Sequence, residues 1–437
     1  MSWSEVSKGR WERPMDGIEG FFAVTGTLSA SASGGREHSI HFTTLQVDLK
    51  IPPAKTEAAL KRAWTQLRYQ QPQIATTVEG LTRIYELAET CIILPNVSAD
   101  ELYAAAPPIK RATMYYLPRT SELALRIQHS FIDGTGVLML WDQFLAVLAA
   151  PAAEAIVFGD EPCRLRPCLE AVLGSPGEPS AEESATITAF WEQYLAKAPG
   201  IGPMSNIGSV PIGQCQNTRL AFPQQTTKAI IHACKEKNIT VTSAVHAAYI
   251  QTLATKLADP ATPNSYYLTT APFDMRRHLP APYNIPQYAA SLYLFPTPFY
   301  QDLPAPYWDV ASSLNEFYRS MVCGNSTFLQ LLPHNTRYMF AVAQMPEYQA
   351  SAYPKDPLPS SLGILENYVK RDYGSLVTIQ DLMPRVEVTR GQSLFFVYTF
   401  RDQLQVVYCF NDAHEKRSDI DRCLEGIQSV LIEELLA

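Results

Sequence analysis

The sequence predicts an α/β protein in two similar halves, and three observations predict it. Segments that alternate apolar and polar residues are interleaved along the chain with segments of helical periodicity, the pattern of strands covered by helices. At 437 residues the chain is too long for one ordinary core and matches two of roughly 200 residues each. A stretch rich in Ala, Pro, Gly and Ser over 174–218 divides the two. The expected organisation is a first domain over 1–175, a crossover linker over 176–217 and a second domain over 218–437. The two α/β sandwiches would form a pseudo-dimer.

The elements follow in order. A strand is expected over 40–49, then a helix from Thr56, read as its N-cap, to about Tyr69, burying Leu60, Ala63, Trp64 and Leu67. Strands follow over 75–78, 82–87 and 114–117. Leu123, Leu125 and Ile127 then alternate with Ala124, Arg126 and Gln128, the signature of a half-buried strand. Val137, Leu140, Trp141, Phe144, Leu145 and Leu148 recur at helical spacing, so a buried helix begins near Gly136 and stops at Pro151. In the second half a strand near 218–222 precedes a helix over 226–237. Thr240 caps a longer helix through Val245, Ala248, Leu253 and Leu257. Strands are expected at 266–270 and 290–295, and the clearest hairpin pairs 394–400 with 404–410 across 401–403. A final amphipathic helix uses Ile420, Leu424, Ile427 and Leu431.

Composition narrows the function. The net charge is −8 and no run of five basic residues occurs, which argues against nucleic acid or an anionic membrane as partner. Without 18 consecutive apolar residues or a signal pattern, the chain reads as a cytoplasmic protein with no membrane span. The eight cysteines are scattered with no C-x-x-C pair, so they read as reduced core residues and no metal is expected. Neither a phosphate-loop nor a dinucleotide fingerprint is present.

The most informative run is Arg126-Ile-Gln-His129-Ser-Phe-Ile-Asp133-Gly134-Thr-Gly136, between the strand and the buried helix. His129 stands at the strand's exit, where acid/base chemistry is possible, and imidazole supplies a pKa near operating pH. Gly134 and Gly136 suit a turn that needs positive φ or close approach of another group. His246, in an apolar helix, and His232 read as packed core residues. No G-x-S-x-G elbow occurs, so no acyl-enzyme is implied.

The His129-x-x-x-Asp133-Gly134 run is joined, in order, by three further segments. They are Thr240-Val-Thr-Ser-Ala-Val-His-Ala-Ala, Asp274-Met-Arg276-Arg277-His-Leu-Pro280, and Ser361-Leu-Gly363 through Asp372-Tyr-Gly374. The combination resembles the CoA-dependent acyltransferase superfamily that includes BAHD enzymes, chloramphenicol acetyltransferase and condensation domains. In style it is nearest to fungal secondary-metabolite O-acetyltransferases of the trichothecene type. Two departures stand out: Gln128 occupies the place of a second histidine, and the plant D-F-G-W-G signature is reduced to Asp372-Tyr373-Gly374.

The resemblance implies two chloramphenicol-acetyltransferase-like sandwiches around a central tunnel, acyl-CoA entering from one face and the acceptor from the other. It implies His129 as general base and Asp133 as an orienting residue paired with Arg276 of the second half. Acetyl-CoA or another acyl-CoA would be cosubstrate, a hydrophobic small molecule the acceptor, and a monomer the working form. Donors to the oxyanion are expected around Gly134, with Ser291 and Ser393 as weaker candidates. The CoA-contacting residues are not assigned. Two other functions stay open: a condensation-like enzyme fed by a carrier protein, and a thioester-independent cyclase or binding protein.

Overall fold

The computed structural model describes residues 2–80, 82–85, 90–174, 176–207, 210–262, 265–323, 326–350 and 355–437. It is a mixed α/β structure with several sheets. The largest has six strands in the order Asp372–Tyr373, Val377–Met383, His41–Leu49, Glu122–Ile127, Thr113–Leu117 and Cys91–Ile93, antiparallel except for the last pair. Its first two strands come from late in the chain and lie beside early ones. A four-stranded sheet orders Leu358–Ile364, Leu394–Phe400, Gln403–Asn411 and Cys215–Ala221, and Tyr266–Asp274 pairs with Leu294–Asp302 as a two-stranded ribbon. A small sheet joins Ser4–Ser7, Arg10–Pro14, Thr82–Tyr85 and Thr76–Glu79. Positions 86 and 87 of the expected 82–87 strand lie outside the described residues.

Helices Pro53–Gln70 and Gly134–Ala149 bury Leu60, Trp64, Trp141 and Phe144 against Leu45, Leu125 and Ile379 of the large sheet. That core continues without a break into Phe396, Tyr398 and Val407 of the four-stranded sheet. A second core packs Val245, Tyr249 and Leu253 against Leu314, Leu424 and Leu431 of helices Tyr307–Cys323 and Arg417–Leu435. Among the described residues, no helix is long and apolar enough to cross a membrane.

Several boundaries move for identifiable reasons. The first long helix starts at Pro53, and Thr56 lies inside it, its hydroxyl donating to the Pro52 carbonyl at 3.2 Å. Proline at the first helical position needs no N–H there and presets φ, so it starts the helix in place of Thr56. The expected 290–295 strand is Leu294–Asp302 instead. Residues 291 and 293 are engaged elsewhere, since the Ser291 carbonyl accepts from Arg276 and the Tyr293 N–H donates to Asp133. In the hairpin, Arg401 and Asp402 both take positive φ (51° and 63°), so the turn has two residues and Gln403 joins the ladder. His232 is a correction: it lies exposed on helix Gln224–Glu236, 3.5 Å from Glu236. Its helix buries Thr227, Ile230, Ala233 and Cys234, and His232 falls outside that stripe.

Candidate active site

His129 emerges from strand Glu122–Ile127, whose two faces are both buried. Arg126, expected on a half-exposed face, has no exposure, and its Nε donates to Glu387 Oε1 at 2.8 Å. Arg36 reaches the other oxygen of Glu387 at 3.1 Å. A fully buried arginine is tolerated because it is paired.

The half-buried His129 ring is held by ring contacts rather than by a carboxylate. Phe22, on helix Gly17–Thr27, stacks on it with centroids 4.1 Å apart and planes 3° apart. The His41 ring lies 4.2 Å away, tilted by 35°. Nδ1 is buried with no hydrogen-bond partner among the described residues. Nε2 is not closed off in this way, and the residue lines a cavity of about 120 Å³. Burial pushes the imidazole pKa down to about 4, against a weaker opposing pull from the residue's own carbonyl and from Asp133. The ring is therefore neutral at pH 7 with a lone pair available.

The cavity is mostly apolar, walled by Phe22, Phe273, Leu294, Leu362, Val386 and Phe396, with Ser39, His41, Thr135, Asp274 and Ser361 as polar members. Gly134 and Thr135 also line it, and they open helix Gly134–Ala149. Their backbone N–H groups make no hydrogen bond within the described residues, as the first-turn donors of a helix do unless capped. They and the helix dipole favour negative charge at this end.

Asp133 and Arg276 form a buried ion pair. Arg276 Nη1 donates to both Asp133 oxygens at 2.8 Å, with both side chains almost fully buried. Asp133 also accepts from the N–H of Gly136 and of Tyr293, each at 2.8 Å. It is thus the N-cap of the helix, which starts at Gly134 rather than Gly136. Burial opposes the Arg276 charge, but Asp133 and Asp274 outweigh it and raise its pKa.

Ser291 Oγ is buried without a hydrogen-bond partner among the described residues, and neither it nor Ser393 lines the cavity. The Ser393 hydroxyl donates to Glu415. Gln128 and Ser130, either side of His129, line a second cavity of about 520 Å³ with Glu37, Lys110 and Arg111. Burial raises the Glu37 carboxyl pKa to about 7 there. His246 is a packed core residue, bonded through Nδ1 to Tyr318 at 3.0 Å and through Nε2 to Tyr267 at 2.8 Å.

Neither glycine of the turn has positive φ. Gly136 is needed for close approach, since a Cβ there would lie 2.3 Å from the Ala289 carbonyl oxygen and 2.7 Å from Ile132 Cγ1. Gly136→Ala gains about 1 kcal/mol in helix propensity, but overpacking costs about 1–3 kcal/mol. Chemical denaturation should therefore show a net loss of stability; a gain would contradict the close contact.

No family model matches the chain. Among curated proteins it is similar to the O-acetyltransferase pigM of Monascus ruber, 25% identical over 453 residues covering 100% of this chain and 87% of pigM. The acetyltransferase pigO of the same organism is 28% identical over 466 residues, 100% and 98% of the two chains. Among solved structures, the TRI3 trichothecene 15-O-acetyltransferase of Fusarium sporotrichioides superposes with a TM-score of 0.81 at 14% identity, covering 98% of this chain and 97% of that one. The first condensation domain of the CDA synthetase superposes at 0.67 and 14% identity, over 98% and 97%. The chain has the fold of these two structures and resembles the two fungal acetyltransferases over its whole length. The residues in ring contact with His129, Phe22 and His41, were not singled out from sequence. No local motif links them to His129; His41 arrives through strand register, opposite Ile127.

Proposed function

We propose that the protein transfers an acyl group, acetyl first, from CoA to a hydroxyl of a hydrophobic secondary metabolite, with His129 as general base. The observation that carries this reading is the neutral imidazole clamped between Phe22 and His41, with Nε2 open to an apolar cavity beside a helix N-terminus. The acetyltransferase names of the full-length relatives support it. So does the architecture, which we read as two sandwiches around a channel, the two cavities flanking the His129 segment forming its arms.

The chemistry follows from the geometry. His129 Nε2 takes the hydroxyl proton as the oxygen attacks the thioester carbon. The carbonyl oxygen becomes an oxyanion, facing the free N–H groups of Gly134 and Thr135. Collapse breaks the C–S bond, and the departing thiolate takes the proton from the imidazolium, leaving ester, free CoA and neutral His129.

Calorimetric titration with acetyl-CoA and free CoA, followed by thiol release with added alcohols, tests the reading. Micromolar binding and alcohol-dependent release are expected; no affinity for any CoA species would overturn the donor assignment. The pH dependence is a second test. A base is active only when unprotonated, and burial lowers the pKa of His129 to about 4. With S-acetyl-N-acetylcysteamine as donor, kcat/KM should stay level from pH 8 down to about 5 and fall only near 4. An acid limb near 6.5 would mean that the base is solvated.

A further inference from the structure

The reaction needs one imidazole, yet two stand in the cavity. His41 is 4% exposed and lines the same space as His129. Its Nε2 lies 3.1 Å from the Ile132 carbonyl oxygen. A carbonyl only accepts, so the proton is on Nε2 and the lone pair on Nδ1. Nδ1 makes no hydrogen bond among the described residues and, unlike Nδ1 of His129, is not sealed off by protein. An acceptor nitrogen facing a mostly apolar cavity needs a donor, and a bound molecule that displaces water there must supply it.

We propose that His41 Nδ1 is a specificity-determining group, accepting a hydrogen bond from a second hydroxyl of the acceptor, vicinal or 1,3 to the one acylated. Preferred acceptors are then diols on an apolar frame. The inference rests on the acyl-transfer reading of this cavity. Ring centroids 4.2 Å apart put the two nitrogens within reach of oxygens on neighbouring carbons, one for each.

Two substitutions separate recognition from anchoring. His41→Asn keeps an acceptor oxygen near the Nδ1 position and gives up the Ile132 contact. His41→Gln does the reverse. The probes are cyclohexanol and cis-1,2-cyclohexanediol, which differ by one hydroxyl, with acetyl-CoA as donor. Wild type and His41→Asn should favour the diol by roughly three- to tenfold in kcat/KM and in calorimetric Kd, the worth of one hydrogen bond. His41→Gln should lose that preference. A preference kept by His41→Gln and lost in His41→Asn would assign His41 to anchoring and overturn the proposal. So would a loss that falls on the KM for acetyl-CoA instead of the diol. If no alcohol releases thiol, acyl transfer fails as the function. A diol preference in binding, kept in His41→Asn and lost in His41→Gln, would still establish the recognition role, and equal binding of both alcohols would overturn it.

Discussion

His129→Ala should bind acetyl-CoA about as tightly as the wild type and lose about 10² to 10⁴ in turnover, the usual contribution of a general base. The expectation follows from what touches what. The ring meets its surroundings through Phe22 and His41, and its Nδ1 has no hydrogen-bond partner among the described residues. Truncation therefore strands no charge and breaks no ion pair. Asp133 is committed to Arg276, Gly136 and Tyr293 and makes no hydrogen bond to His129. The free N–H groups of Gly134 and Thr135 remain in place. Residual turnover should come from that N–H array and from binding alone, so the loss falls on kcat more than on KM. Single-turnover thiol release at saturating acetyl-CoA, beside calorimetry, measures both. Unchanged turnover would remove His129 as the base.

His129 itself was legible because its signal is local: an alternating strand, an Asp–Gly turn and a helical stripe within about thirty residues. The residues that orient it were not legible, and the reasons are physical. Helix Gly17–Thr27, which carries Phe22, looks like a loop because of its glycines. Gly17 and Gly20 are there because helix Ser326–Ala343 packs on them: a Cβ on Gly17 would sit 2.5 Å from the Arg337 nitrogen, and one on Gly20 2.7 Å from the Phe340 ring. Asp16 and Glu19 form the capping box that could have announced the helix. Helix Ser326–Ala343 was missed in turn, with Pro333 inside it.

Strand Val377–Met383 joins the His129 sheet through pairing with His41–Leu49, a partnership over three hundred positions that no window of sequence contains. The Asp372-Tyr373 segment of the resemblance pairs with that strand. The Tyr373 hydroxyl donates to Asp142 Oδ1 at 2.6 Å, tying this segment to the helix that Asp133 caps.

Asp133→Ala should destabilise the protein by about 3–5 kcal/mol, because it removes one partner of a buried ion pair. Arg276 is 3% exposed and would keep Asp274, half-open to solvent, the carbonyls of Ala289 and Ser291, and the face of the Tyr293 ring. The helix would lose its cap at Gly136, and the Tyr293 N–H would lose its acceptor. Asp133→Asn should restore little, since its amide presents a donor to a site that offers three donors and no acceptor. Thermal denaturation should show a midpoint several degrees lower for both variants. A midpoint within a degree of the wild type would refute the structural role. Turnover separates this role from that of His129. Measured well below each variant's midpoint, Asp133→Asn should keep more activity than His129→Ala, because its carboxyl group touches neither the base nor Nε2. Activity that falls as far while the protein stays folded would instead mean that the Asp133–Arg276 pair holds the N–H groups of Gly134 and Thr135 in register with the thioester.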